Sequence, residues 1–225
     1  MKKNFLVAAL NAGIILLSTS LFAQNAEEGK APGYFKPSIG LGYRIAGIAE
    51  SVKQFPGLEA LSKKQRSGIV LGAEAGFFIN KQKSESIGLL YQRFGSKATG
   101  PVSLPGLQGN FDFTTDENIS LLALVYNTYL KFSKNGSSGV TFKVGAGYNH
   151  YNGTASALGN ATAQKISKGG LGYLLGADLD FGLSKNIFFT TGLSFSAGNV
   201  RVEEGDDGKE NLSMIIGGIG LKFVW

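Results

Sequence analysis

Few residues in this chain have the chemistry that catalysis requires, and the single histidine, His150, comes first among them. A histidine acts as a general base only when it is oriented beside a nucleophile. The chain has no cysteine, and the residues directly after His150 are Tyr151, Asn152 and Gly153. In a β-strand alternate side chains point to the same face, so His150 would share the face of Tyr148, which we expect to point outward. We therefore predict a histidine without a catalytic partner.

Other ligand-binding patterns are equally weak. Without cysteine and with one histidine, neither a thiolate site nor a histidine cluster for a metal can form. The acidic run from Glu203 to Asp207 could attract a hard cation, but such runs are more often solvated loops. The glycines around Leu41 and Leu171 lie inside strand patterns and open no helix, which excludes a dinucleotide-binding loop. We predict no catalytic residue, no metal site and no cofactor.

The N-terminus predicts secretion. Lys2 and Lys3 precede an apolar stretch from Phe5 to Leu17, and small residues follow up to Ala23. This is the organisation of a signal peptide, and the stretch is shorter than the roughly 20 residues of a membrane-spanning helix. We expect residues 1–23 to be cleaved and the mature chain to begin near Gln24.

The basic residues exceed the acidic ones, 22 to 16, but they are scattered along the chain. A nucleic-acid-binding surface needs lysine and arginine clustered along one face. The sequence therefore gives no support for nucleic acid as a partner.

The mature chain alternates bulky apolar residues with small or polar ones in eight segments, which predicts eight β-strands. The segments are 35–45, 68–79, 86–96, 118–132, 139–151, 169–183, 187–199 and 211–225. Most are longer than the 5 or 6 residues typical of globular proteins, and a tilted strand needs about 9 to 11 residues to cross a bilayer.

The predicted connections alternate between short and long. The short ones are 80–85, 133–138 and 184–186, of which Lys134–Gly136 is a tight-turn signal; the long ones are 46–67, 97–117, 152–168 and 201–210. Transmembrane barrels have short turns on the periplasmic side and long loops outside. This asymmetry predicts periplasmic termini, with a short periplasmic segment at 24–34 and one barrel domain at 35–225.

The two faces of each strand differ in residue type. Bulky residues such as Ile39, Leu71, Leu124 and Phe195 occupy one face, and glycines such as Gly42 occupy the other. The interior of an eight-stranded barrel is only just wide enough for side chains to fill it, so the bulky face must point outward into lipid. A soluble lipocalin-like barrel, the alternative, would need the glycine face outward.

Charged residues accompany the glycines on the inward face. They are Arg44, Glu74, Lys131, Lys143, Asp178, Asp180 and Lys222. Buried charges are tolerated when they pair, so we expect these seven side chains to form an interior polar network. Its role would be structural, although an ion path along the lumen is the alternative.

With these features the chain resembles the OmpA-transmembrane and OmpX-like family of small outer-membrane β-barrels, over essentially the whole mature chain. The most specific match is the end of the chain, where Ile219, Leu221, Phe223 and Trp225 place apolar residues at every second position up to a terminal aromatic residue. In that family this pattern is the signal that the barrel-assembly machinery recognises. The resemblance implies an all-β, eight-stranded antiparallel up-and-down barrel in the outer membrane, a monomer in contact with lipid and lipopolysaccharide.

Three functions are compatible with that resemblance. We favour a structural or surface-interaction role in adhesion or envelope integrity, because binding residues often lie on loops held by a rigid scaffold. The first long loop has an amphipathic pattern at Val52, Phe55, Leu58 and Leu61 that predicts a short helix. The second is expected to expose Phe111 and Phe113.

A narrow channel for small solutes is the second function. A lipid A-modifying enzyme is the third, since some such enzymes resemble this chain in size. The resemblance to the lipid A deacylases would require a serine two residues after the histidine, where this chain has Asn152. We therefore predict that the protein is not an enzyme.

Overall fold

The computed structural model describes residues 32–45, 56–103, 109–133, 137–157, 164–201 and 209–225. The predicted signal peptide, the tight turn Lys134–Gly136 and the acidic run from Glu203 to Asp207 lie outside these ranges, as do Val52 and Phe55. Within them, no helix is long and apolar enough to cross a membrane.

The described chain consists of nine strands and one helix. In order they are β1 (Gly33–Arg44), α1 (Pro56–Gln65), β2 (Ser67–Phe78), β3 (Glu85–Ser103), β4 (Asn110–Lys131), β5 (Ser138–Ala157), β6 (Gln164–Gly182), β7 (Ile187–Arg201), β8 (Lys209–Asn211) and β9 (Met214–Val224). The short β8 pairs with β7 just ahead of β9, so β8 and β9 together take the place of one barrel strand.

The strands close into a barrel. Strands β1 to β7 pair antiparallel in chain order, and β9 pairs with both β7 and β1. Ile39 of β1, for example, lies opposite Leu71 of β2 on one side and Ile219 of β9 on the other. The predicted eight-stranded, up-and-down antiparallel barrel is confirmed.

Four strands are longer than the sequence patterns predict. Strands β3 to β6 have 19, 22, 20 and 19 residues, whereas β1 and β2 have 12 each. Most of the predicted loops 97–117 and 152–168 is therefore strand, and their assignment as loops was wrong. Gly100 and Pro101 suggested a loop, but the ladder between β2 and β3 ends at Gly95, so Pro101 lies at a strand edge, where proline is tolerated.

The orientation of the two faces agrees with the prediction. Bulky apolar residues point outward and are exposed; Leu41 is 72% exposed and Leu171 is 69% exposed. Glycines face inward, where their neighbours leave little room for a side chain: at Gly42, an added Cβ would lie 2.8 Å from the Phe94 ring. The outward face is thus a continuous apolar belt.

The interior, in contrast, is more apolar than we predicted. Besides glycine and charge, it holds three clusters of buried aliphatic and aromatic residues, of which the smallest contains Tyr34, Phe78 and Val224. The first contains Val70, Phe94, Ile119, Val200, Leu212, Met214 and Ile216. The second contains Leu90, Leu121, Ala123, Val125 and Leu174. These residues alternate along the strands with the bulky outward residues, and both sets are hydrophobic. Hydrophobicity alone therefore did not distinguish the lumen-facing residues from the lipid-facing ones.

Inward glycines let neighbouring strands approach closely, and Gly147 gives a test. A Cβ at Gly147 would collide with the carbonyl oxygen of Leu122 and lie 2.5 Å from the Cα of Ala123. We expect Gly147→Ala to lower the free energy of unfolding by about 1 to 3 kcal/mol because backbone must shift. Urea unfolding of the barrel in lipid vesicles measures this.

The matched control is Gly95→Ala. At Gly95 the nearest atom to an added Cβ is the Asn118 side-chain oxygen at 3.6 Å, so we expect a change within about 0.5 kcal/mol. Equal stability of the two variants would show that close strand approach at Gly147 is not required.

Candidate functional site

The barrel has two rims. The short-turn rim carries the turns at 79–84 and 183–186 together with the end of β4 and the start of β5, and the long-loop rim is formed by the opposite ends of the strands. Between them, the lumen and the surfaces at each rim are the places where chemistry or binding could occur.

Four charged side chains, Lys36, Glu74, Lys143 and Asp178, lie together inside the lumen, and we call this set the charged layer. Lys36 Nζ lies 3.3 Å from Glu74 Oε2 and also contacts Asp178. Lys143 Nζ lies 2.6 Å from Asp178 Oδ2 and 3.5 Å from Glu74 Oε2. Each lysine therefore bridges both carboxylates, and the four formal charges cancel.

Hydrogen bonds fix Glu74 from its other side. The Tyr34 hydroxyl donates to Glu74 Oε1 at 2.6 Å, and Asn127 Nδ2 donates to the same oxygen at 2.8 Å. Asn127 also contacts the Ser86 hydroxyl. Side chains from β1, β4 and β5 thus converge on this one buried carboxylate of β2, which ties the four strands together across the lumen.

A second pair lies nearer the short-turn rim. Lys222 Nζ lies 3.0 Å from Asp180 Oδ2, and the Thr141 hydroxyl donates to the same oxygen at 2.6 Å. The ammonium group of Lys222 also lies over the rings of Tyr34 and Tyr129, at 5.7 and 5.4 Å from their centroids. This cluster joins β5, β6 and β9.

Towards the long-loop rim, Arg44 pairs with Glu117 through its guanidinium and donates from Nη2 to the backbone oxygen of Asn211. Glu117 is only 2% exposed. Sequence patterns did not identify Glu117, because it fell at the end of a predicted loop rather than in a strand.

The seven predicted network residues thus fall into separate groups. Glu74, Lys143 and Asp178 meet in one cluster, Asp180 and Lys222 in another, and Arg44 joins neither. Lys131 lies exposed at the short-turn rim with no ion pair among the described residues. Lys36, which the prediction omitted, could have been found by alternation, since it shares its face with Ser38 and Gly40.

Apolar side chains fill the lumen beyond the charged layer. The cluster around Leu121 comes next, and the cluster around Phe94 fills the end near the long-loop rim. The cavities here are small: one beside Lys36 and Lys143 is about 40 Å³ and one beside Phe94 is about 10 Å³. A single water needs at least roughly 10 Å³ of such space, so these cavities fit individual waters.

His150 has a hydrogen-bond partner, which the sequence prediction missed. The Ser167 hydroxyl of β6 lies 3.4 Å from His150 Nε2 on the exposed face, and the ring of Tyr148 stacks near the imidazole. The serine comes from the neighbouring strand, so its spacing along the chain gave no signal. Within the described residues no carboxylate orients the imidazole, and both residues lie in strands whose backbone amides belong to the ladder.

The chain-terminal residues lie along β9. Ile219, Leu221 and Phe223 pair in register with Thr191, Phe189 and Ile187 of β7. The Trp225 backbone N–H donates to the Gly33 carbonyl, and its ring lies against Gly33. The terminal residues therefore form part of the seam that closes the barrel.

No protein-family model matches the sequence, and no curated protein matches it significantly. Among solved structures, the barrel is similar to a major outer membrane protein from Thermus thermophilus, with 15% identity, a TM-score of 0.50, and coverage of 86% of this chain and 99% of that chain. This is the fold of the small eight-stranded outer-membrane β-barrels of the OmpA/OmpX-like type.

Two further matches have lower TM-scores. The outer membrane protein OprG from Pseudomonas aeruginosa is 13% identical, with a TM-score of 0.47 and coverage of 87% of this chain and 96% of that chain. Ail, the attachment invasion locus protein of Yersinia pestis, is 12% identical, with a TM-score of 0.46 and coverage of 86% and 99%. At sequence identities this low, the similarity to these outer-membrane barrels concerns the fold alone.

Removal of one charge tests the central cluster. Glu74→Gln keeps the size of the side chain but leaves Lys36 and Lys143 with one carboxylate between them. Stranding a buried charge costs about 3 to 5 kcal/mol, and we expect a loss of that size in the free energy of unfolding of the barrel. Unfolding in urea, followed by tryptophan fluorescence, measures it.

Glu59→Gln is the matched control. Glu59 pairs with Lys63 at 2.8 Å on the surface of α1, where the lysine side chain is 63% exposed, and exposed pairs contribute about 0 to 1 kcal/mol. If Glu74→Gln destabilised the barrel no more than Glu59→Gln, the charged layer would not be a stabilising core.

Proposed function

We propose that this protein is an integral outer-membrane barrel that acts as a surface-interaction protein, with the long-loop rim outside the cell and both termini in the periplasm. The observation that carries the proposal is the contrast between a filled lumen and a sheet that extends beyond the barrel at the long-loop rim. The filled lumen supports a scaffold, and the extended sheet offers a surface.

The extension consists of β3 to β6. A strand needs about 9 to 11 residues to cross the bilayer, whereas these four have 19 to 22, which leaves roughly 30 Å of strand beyond the belt. Its outward face is polar, with residues such as Lys97, Thr99, Thr114 and Asp116. Thr99 and Thr114 lie opposite each other and their hydroxyls are 3.0 Å apart. This face suits water rather than lipid.

Helix α1 supports the other face of the extension. Leu61 is buried against Ala98 and Val102, and Leu58 and Phe113 pack at the edge of this cluster. The short helix predicted from Leu58 and Leu61 is therefore present. Phe111 is exposed, as expected, whereas Phe113 is partly buried because α1 covers it. The extension is a small packed unit, and its rigidity supports a role in binding.

One edge of the extension stands out as a binding edge. Residues 164–169 of β6 pair with β5, and the ladder with β7 begins only at Gly172, within the described residues. An unpaired strand edge can add a strand from a partner. Lys165 and Lys168 place positive charge along this edge, which favours an extended partner segment with acidic side chains.

Lipid contacts also follow from the outward face. Arg93 lies two residues from Tyr91 on β3 and donates from Nε and Nη2 to Asn118 Oδ1, and Lys97 lies exposed further along the same strand. We propose that these cations contact phosphate groups of lipopolysaccharide, since arginine and lysine are phosphate binders.

The residues from Ile219 to Trp225 would be recognised by the barrel-assembly machinery during insertion. The assembled barrel would act as a monomer.

The filled lumen weighs against a channel, because apolar clusters separate its small cavities. The contact between Ser167 and His150 is weak evidence for an enzyme. Nucleophilic catalysis also needs a third group that orients the base, and it needs hydrogen-bond donors that stabilise an oxyanion. We therefore infer a non-enzymatic role.

The orientation can be tested with introduced cysteines, because the chain has none. Lys63 lies on α1 beyond the long-loop rim and Lys81 lies in the turn between β2 and β3; both are exposed. On intact cells, a membrane-impermeant maleimide should label Lys63→Cys and should label Lys81→Cys only after the outer membrane is permeabilised. The reverse pattern would contradict the proposed topology.

The interaction role can be tested by shortening the extension. Replacement of residues 98–115 by Asn-Gly keeps Lys97 opposite Asp116 and leaves the membrane-spanning part intact. Retention of expressing bacteria on host-cell monolayers should fall to that of non-expressing bacteria, provided that surface labelling and the heat-modifiable gel band persist.

Unchanged retention by the shortened variant would contradict the proposed surface role. The channel alternative predicts discrete conductance steps in planar bilayers with the full-length protein, and we expect none. Such steps would show that the apolar clusters open.

A further inference from the structure

A pocket opens inside the barrel at the short-turn rim. Its lining includes Lys83, Lys131, Lys185, Lys222 and Asp180, and its volume is about 160 Å³. Its inner end is the buried cluster of Tyr34, Phe78 and Val224. The pocket is therefore a blind cup rather than the entrance to a pore.

The residues that β4 and β9 contribute to this cup point into the lumen. Tyr129 and Lys131 continue the inward series of β4 after Asn127, and Lys222 and Val224 are inward on β9. Glu85, the first residue of β3, alternates with the inward Ser86 and therefore points away from the lumen. The cup is thus reached from the aqueous side of the rim and not from the lipid belt.

The cup has an excess of positive charge. Four lysines and one aspartate line it, and Asp180 is already engaged by Lys222 and by the Thr141 hydroxyl. Lys83, Lys131 and Lys185 form no ion pair among the described residues, although the Lys83 ammonium lies 5.9 Å from the centre of the Phe78 ring. A concave site lined by charges of one sign concentrates counter-ions.

Two hydrogen-bonded turns hold the loop lysines in place. The Asn80 side chain accepts from the backbone N–H groups of Ser84 and Glu85, which fixes the turn that carries Lys83. Lys83 itself has a left-handed backbone with φ of 54°. Lys185 sits at the tip of the turn closed by the bond from the Leu183 N–H to the Ile187 carbonyl.

The size of the cup limits its ligand. Its volume of about 160 Å³ has room for several waters, since a single water needs at least roughly 10 Å³ of such space. That space fits one phosphate-sized group, and lysine ammonium groups are phosphate binders.

We propose that this cup is a binding site for a small phosphate-type anion, held by Lys83, Lys131, Lys185 and Lys222 at the short-turn rim. Lys222 stays oriented by Asp180, while the other three lysines supply the net charge that the anion neutralises. The site is independent of the proposed interaction surface at the opposite rim.

Inorganic phosphate is the probe. The full-length barrel in zwitterionic detergent micelles is titrated with phosphate at constant ionic strength, and binding is followed by calorimetry and by the amide shifts of the turns at 79–84 and 183–186. We expect saturable binding that Lys131→Gln weakens about tenfold, as for loss of one charge-assisted hydrogen bond. Combination with Lys83→Gln should abolish it.

Lys81→Gln is the matched control, because Lys81 lies on the same turn, is exposed and does not line the cup. It should leave phosphate binding unchanged. Non-saturable binding, or equal weakening by Lys81→Gln and Lys131→Gln, would overturn the proposal and indicate general surface electrostatics.

A second arm distinguishes free phosphate from a lipid headgroup. The barrel is reconstituted in nanodiscs of phosphatidylcholine alone or with phosphatidylglycerol, and the same titration is repeated. Unchanged phosphate affinity supports a soluble anion as the ligand, whereas competition by phosphatidylglycerol would overturn the assignment to a soluble anion. The heat-modifiable gel band confirms that each variant is folded.

Discussion

The closure of the hydrogen-bonded ladder between β1 and β9 is the constraint on which the rest of this structure depends. Lipid cannot hydrogen-bond to backbone groups, so a sheet in a bilayer must have no free edge. Closure at eight strands produces a lumen barely wide enough for side chains. The glycine content, the outward apolar belt and the layered interior all follow from that narrow width.

The interior shows how such a lumen is filled. Charged groups are stable there only because they pair closely, as Lys36 and Lys143 do with Glu74 and Asp178. Apolar residues fill the levels that the charges leave. The same alternation that places Leu124 in lipid places Val125 in the lumen, and both are hydrophobic for different reasons: one is solvated by acyl chains, and the other packs against neighbours.

The two rims have opposite character. Long strands and α1 build a packed polar extension at one rim, while tight turns at the other surround a small basic cup. Both rest on the same rigid barrel, and the filled lumen separates them. Functions at the two rims can therefore be independent, which is why a surface interaction and an anion site are compatible in one small chain.

Alternation in the sequence was sufficient to predict the number of strands, their inward and outward faces and the closed barrel, because side-chain direction in a strand is a local property. It predicted the inward direction of Glu74 and Lys222 for the same reason. It failed at the ends of β3 to β6, where Gly100 and Pro101 indicated a loop. Whether a strand continues there depends on its neighbours, and neighbouring strands supply the pairing that the local residues do not specify.

The contacts themselves were decided only by the tertiary structure: Lys36 and Asp178 are 142 positions apart, and Ser167 reaches His150 from an adjacent strand. Register between strands sets which inward residues share a level, and register is the sum of many weak pairings around the whole barrel. The sequence by itself therefore determined which residues face the lumen, whereas the closed fold determined which of them meet.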